Sequence, residues 1–146
     1  MKLNIITHPN PLLNQRSKKI SRIDDSIKNL AKDMAETMMG YGDGHEAGVA
    51  IAAIQVGVPL RMTVVKDGDS YLAIINPEIV KRSEELLEDN EGCMGVPKKY
   101  GPVKRSKKIK VKGLDINGKK IEIKAEGFQA RVLQHEIDHM DGKLFL

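Results

Sequence analysis

Between residues 21 and 39, apolar side chains return at helical spacing: Ile23, Ile27, Leu30, Ala31, Met34 and Met38. Ser21, Asp24 and Asp25 stand at the start and Gly40 and Gly42 follow the end, so the pattern predicts an amphipathic helix over 21–39. The next segment, GDGHEAGVAIAAIQVGVP, is rich in Gly and Ala and reads as a loop leading into extended chain of small residues. RMTVV and YLAII flank KDGDS, which predicts paired strands around an Asp-Gly turn. Asn76-Pro77 interrupts that pattern, and residues 79–90 are expected to hold another strand and then an acidic stretch. Ile109 and Val111 alternate with lysines, and Asn117-Gly118 separates LDI from KIEI, the strongest hairpin signal in the chain. Phe128, Val132, Leu133, Ile137, Met140 and Leu144 then fall on one face of a terminal helix. The order helix, several strands, helix predicts an α+β fold, with antiparallel strands packed around the C-terminal helix. No repeat, linker or low-complexity tract divides the chain, so a single domain over 1–146 is expected.

Composition narrows the class. The chain has 146 residues, 40% hydrophobic and 30% charged, as expected for a globular domain with one core. No apolar run approaches the roughly 18 residues that would cross a bilayer. The start, MKLNIITHPNPLL, lacks the apolar stretch and cleavage site of a signal or transit peptide. Cys93 is the sole cysteine, which rules out an intramolecular disulfide, favours a reducing, cytoplasmic location and leaves a thiol for ligation. The net charge of +4 is uneven: residues 98–124 hold eleven Lys or Arg against Asp115 and Glu122. That segment is either a surface for RNA or the ribosome or the solvated face of a hairpin. Its one aromatic, Tyr100, offers no stacking platform, and no sequence-specific nucleic-acid binding is expected.

The candidate chemistry lies in QHEIDHMDG, residues 134–142. His135 and His139 are about one helical turn apart, so both imidazoles project from one side of the helix. Glu136 stands beside them, placed to act on a metal-activated water as a general base. A third ligand must come from elsewhere. The position where one protease class carries its third histidine is Phe145, and no acidic ligand follows downstream. Upstream candidates are Cys93, His45, His8 and several carboxylates, while Asp141 points away from the pair.

With these residues in view, the chain resembles the peptide deformylase family. GVAIAAIQ at 48–55, EGCMG at 91–95 and QHEIDH at 134–139 are similar to the family's G-x-G-x-A-A-x-Q, E-G-C-x-S and Q-H-E-x-D-H. HPNPLL, INPEIV and GKLF add lesser matches, so the similarity spans nearly the whole chain. The resemblance implies hydrolysis of the formyl group from the N-terminal formyl-methionine of nascent polypeptides. It implies one divalent metal per chain, typically Fe(II) with Zn, Ni or Co as substitutes, held by Cys93, His135 and His139. Glu136 would be the base, and the Gln55 amide with the Met94 backbone N–H would meet the oxyanion. Gly48 and Ala50 would lie along the substrate, and Val132 would line its methionine pocket. Glu91 paired with Arg105 would steady the loop of Cys93, and Gln134 would support the ligands.

Two positions depart from the pattern. Ala50 replaces a glycine and Gly95 a serine, which motivates an alternative activity on another small N-acyl group. A weakly active, ribosome-associated metal-binding module is a further alternative, opposed by the intact Glu136. The resemblance is to compact members without a C-terminal extension, so ribosome contact would fall to the basic segment 98–124.

Overall fold

The computed structural model describes residues 2–7, 10–40, 49–93 and 96–143, with 91–93 and 96–100 described by backbone alone. Helix α1 (Asp25–Met39) starts later than the apolar pattern suggests because Asp24 caps it. The Asp24 carboxylate accepts from the Ile27 N–H at 3.1 Å and from the Ser26 hydroxyl at 2.6 Å. The Ser26 hydroxyl first, then the Ile27 N–H, hold the Asp24 carboxyl below its ordinary range. A depressed folded-state pKa means the cap is fully present above the ordinary carboxylate pKa and fades as pH falls through the lowered value.

Strands β1 (Ala50–Ala52), β2 (Met62–Asp67), β3 (Ser70–Arg82), β6 (Lys108–Leu114) and β7 (Lys120–Glu126) form one antiparallel sheet in the order β1-β2-β3-β6-β7. β4 (Leu86–Cys93) and β5 (Val96–Ser106) form a separate two-stranded ribbon. Helix α2 (Phe128–Met140) follows β7. Successive residues of a strand point to opposite faces, and β3 shows what that does here. Ile75 joins Met62, Val64 and the α1 residues Ala31, Met34 and Met38 in one core cluster. Its neighbour Ile74 joins Ile109, Val111, Ala125 and the α2 residues Ala130, Leu133 and Ile137 in another. The two helices therefore cover opposite faces of the sheet. Among the described residues no helix is long and apolar enough to cross a membrane.

The two predicted hairpins form, but four expectations need correction. The strand does not end at Asn76-Pro77: it bulges there and runs on to Arg82. Asn76 takes φ 53, which Asn tolerates, and its side-chain amide pairs with both backbone groups of Ile20 at 2.8 Å. The acidic stretch is itself β4, paired with a β5 that Pro97, Gly101 and Pro102 disguise. Proline is tolerated there because a two-stranded ribbon is all edge. Residues 53–56 form a 3-10 turn, not extended chain. Phe128 is 54% exposed and is not part of the core, while Leu144 lies outside the described residues.

Gly113 tests the packing of β6 against β3. A Cβ there would stand 2.9 Å from Ile74 Cγ2 and 3.0 Å from the Ile75 carbonyl oxygen, which the ladder holds in place. Valine is the better strand former, but the overlap outweighs propensity. We expect Gly113→Val to lower stability by about 1–3 kcal/mol, seen as a lower urea midpoint at unchanged m.

Candidate metal centre

Helix α2 opens at Gly127, whose φ 64, ψ −126 is closed to L side chains, and whose N–H donates to the Lys107 carbonyl at 2.8 Å. Every residue from Ala130 to Ile137 is buried, so the helix must satisfy partners on all sides. Its stripes divide the work. Ala130, Leu133 and Ile137 pack on the five-stranded sheet. Phe128 and Val132 face an apolar cavity of ≈ 230 Å³. His135 and His139 continue that stripe, and Arg131, Gln134 and Asp138 face the ribbon β4–β5.

The Nε2 atoms of His135 and His139 stand 3.1 Å apart, with ring centroids 4.8 Å apart and planes inclined at 64°. His135, Glu136 and His139 are all buried, and ligand atoms of the three lie within 4.8 Å of one another. Converging ring nitrogens at this spacing suit joint ligation of one ion at about 2.0–2.1 Å from each. The donor set fits a divalent metal. Cys93 closes β4, where its backbone pairs with Val96. The Cys93 and Glu91 side chains, and Gly48, Met94, Gly95, His8, His45 and Phe145, lie outside the described residues.

Gln55 is 1% exposed in the 3-10 turn after β1. Its Oε1 accepts from the Ala52 N–H at 2.8 Å, which turns the amide nitrogen the other way. Ala50 lies in β1 opposite Val65 and has no positive φ, so its methyl group brings no backbone strain. Val132 shares the apolar cavity with Val49, Leu72 and Phe128. Leu133 lines it too while belonging to the core, and Ile54 is fully buried beside Ala52 and Met140.

Three polar contacts tie α2 to the ribbon. Gln134 Oε1 accepts from the Ser106 N–H at 3.0 Å, and its Nε2 donates to the Ser106 carbonyl at 2.9 Å. Arg131, 4% exposed, donates to the Val103 carbonyl at 2.9 Å and the Leu87 carbonyl at 2.6 Å, one on each strand. Arg105 forms an ion pair with Asp138. Sequence reasoning assigned no role to Arg131 or Asp138, and none to Arg61. Arg61 closes the far end of α2, donating to the Met140 carbonyl at 3.1 Å and pairing with Asp141 at 2.9 Å. No local signal in the sequence marks Arg131, because its acceptors lie on two strands 28 and 44 residues away, and a buried cation must find such internal partners.

Comparison with known proteins agrees with this geometry. The sequence pattern of the family described as Polypeptide deformylase matches residues 2–146. A peptide deformylase of Dictyoglomus thermophilum is 46% identical over 93% of this chain and 85% of its own. The crystal structure of a Thermotoga maritima peptide deformylase superposes with TM-score 0.91 at 37% identity, covering 99% of this chain and 95% of that one. An Ehrlichia chaffeensis peptide deformylase, solved in complex with actinonin, gives TM-score 0.90 at 39% identity over 99% of this chain and 86% of its own. With matches of this extent in both sequence and structure, the chain belongs to the polypeptide deformylase family.

Proposed function

We propose that this chain removes the formyl group from the N-terminal formyl-methionine of nascent polypeptides, as a metal-dependent amide hydrolase. The observation that carries the reading is the buried His135–His139 pair with Glu136 beside it, in a chain of this family. His135, His139 and Cys93 would hold the ion. Two imidazoles and a thiolate accept Fe(II), the proposed native metal, and also Zn, Ni or Co. When bound, the ion supplies an acidified water and polarises the formyl oxygen.

Glu136 accepts the proton of the attacking water and passes it to the departing amine. Water's oxygen joins the formyl carbon, the C–N bond breaks, and formate leaves. The Gln55 amide nitrogen and the Met94 N–H donate to the oxygen as its charge grows. β1 is the edge strand of the five-stranded sheet, so Ala50 suits pairing with an extended peptide, and Gly48, two residues earlier in the sequence, would lie along the same substrate. The methionine side chain would enter the apolar cavity against Val132 and Phe128. Arg131, Gln134 and Arg105 position the ribbon that ends at Cys93, and a pairing of Arg105 with Glu91 would add to that.

A cytoplasmic location is part of this reading, since nascent chains are made there. Ribosome contact through residues 98–124 is also part of it, though the charge of that segment is partly spent. Lys107 pairs with Glu85 at 3.3 Å, Lys110 with Glu122 at 3.1 Å and Lys108 with Glu126 at 4.0 Å.

Release of formate from formyl-Met-Ala, by protein loaded anaerobically with Fe(II) and in parallel with Ni(II), tests the reading. Wild type should turn over in both forms, and Glu136→Ala should lose at least about 10²-fold in kcat while keeping its ion. One ion per wild-type chain with no formate released would reject it. Gln55→Glu keeps the acceptor for the Ala52 N–H and removes the amide donor. We expect kcat to fall about 10²–10³-fold with little change in melting temperature. Arg131→Met should weaken metal affinity about 10–100-fold. In a Co(II) titration it should also diminish the thiolate-to-cobalt charge-transfer band, because the ribbon that presents Cys93 is loosened.

A further inference from the structure

The basic residues that share this surface come only in part from the cluster in the sequence, as Lys110 and Lys124 do. Strand register places Lys81, Lys110 and Lys124 side by side on β3, β6 and β7. The rows on either side are mixed, Glu78-Lys112-Glu122 and Lys108-Glu126. Like charges directly opposite one another destabilise a sheet, so the uniform row has a cost that its neighbours avoid. The row also depends on a bulge. Ile79 faces Val111 and Lys81 faces Lys110, so Val80 is the extra residue. Without it, Val80 would stand opposite Lys110 and Lys81 would turn to the other face. Bulges commonly re-aim a side chain in this way.

Two cavities extend the row. One, of ≈ 450 Å³, is lined by Lys81, Arg82, Lys108, Lys110 and Lys124, with Glu126 as its carboxylate. The other, of ≈ 590 Å³, is lined by Arg16, Lys18, Lys19, Arg61 and Arg82, with Glu78 and Asp141. Arg82 belongs to both, so they form one track. Arg16, Lys18, Lys19, Lys81, Arg82 and Lys124 make no ion pair among the described residues. Ser17 also lines the second cavity, and its buried hydroxyl has no hydrogen-bond partner among the described residues. The track thus gathers six cations that no carboxylate of the described residues neutralises.

We propose that this track docks the phosphate backbone of double-helical RNA. Three adjacent strands put the outer lysines of the row about 10 Å apart, within reach of successive phosphates for side chains of this length. No aromatic side chain lines either cavity, so there is nothing for unpaired bases to stack on, which disfavours single strands. Recognition is by shape and charge, the mode used on RNA duplexes. The proposal is independent of the hydrolytic reading.

The test is binding of a fluorescein-labelled RNA duplex to the full chain, by anisotropy over a range of salt. Four to six phosphate contacts at about 0.9 each predict a slope of about −4 to −5 in log K against log salt. Reversing Lys18, Lys19, Lys81 and Lys124 to Glu should lower affinity on the order of 100-fold and flatten the slope by about 3–4. Reversing Lys28, Lys32, Lys119 and Lys120 makes the same change in net charge away from the track and should leave most of the binding. Matching thermal unfolding of the two variants shows that both are folded. Equal loss in the two variants, or loss in neither, overturns the proposal. So does equally tight binding of a polyglutamate peptide or of single-stranded RNA, which would assign the track to an acidic protein segment or to unpaired strands.

Discussion

The candidate site depends on one junction, the polar seam between α2 and the ribbon β4–β5. The histidines stand on α2 and Cys93 at the end of β4, and the ribbon is not part of the ladder of the five-stranded sheet. Apolar contact alone would hold helix and ribbon together but would let one slide on the other. Arg131, Gln134 and the Arg105–Asp138 pair remove that freedom, because a guanidinium and an amide bind backbone groups in fixed directions. A buried hydrogen bond to a charged group is worth about 1.5–3 kcal/mol, and leaving such a group unsatisfied costs more. A displaced register is therefore penalised steeply. The seam runs along positions 131, 134 and 138, one stripe of the helix whose next stripe carries the histidines.

What could be read in the sequence was what is local. His135, Glu136 and His139 lie within one helical turn, so spacing alone brought them together. The Asp-Gly and Asn-Gly hairpins carried their own turn chemistry, and α1 its periodicity. Cys93 was different: it was one candidate among several until the resemblance selected it, because the strand that carries it is far from the helix in sequence. β5 was missed since proline and glycine argue against a strand, and only the pairing shows that this strand lies in an edge ribbon. Phe128 fitted the apolar face by phase, yet the face it shares with Val132 is a cavity wall.

Side chains judged by type alone misled in both directions. Arg131 carried no assignment and is buried, because its acceptors come from two strands distant in sequence. The lysines of 98–124 read as one block, and the structure gives three of them, Lys107, Lys108 and Lys110, carboxylate partners. Ala50, together with Gly95, prompted the idea of an altered acyl specificity. Ala50 has an ordinary strand conformation in β1, and its methyl group is buried.

The Arg61 guanidinium sets an order in time as well as in space. It joins the carbonyls of Ser17 and Met140 and the carboxylate of Asp141, with partners 44 to 80 residues away. Closing loops of that length is slow relative to forming hairpins, and the entropy must be spent before the contacts repay it. Topology therefore favours docking of α2 after the local hairpins have formed, because its contacts through Arg61 span the longest separations. A half-folded chain with α2 formed but undocked already carries the His135–His139 pair, yet lacks the seam that sets the ribbon against it.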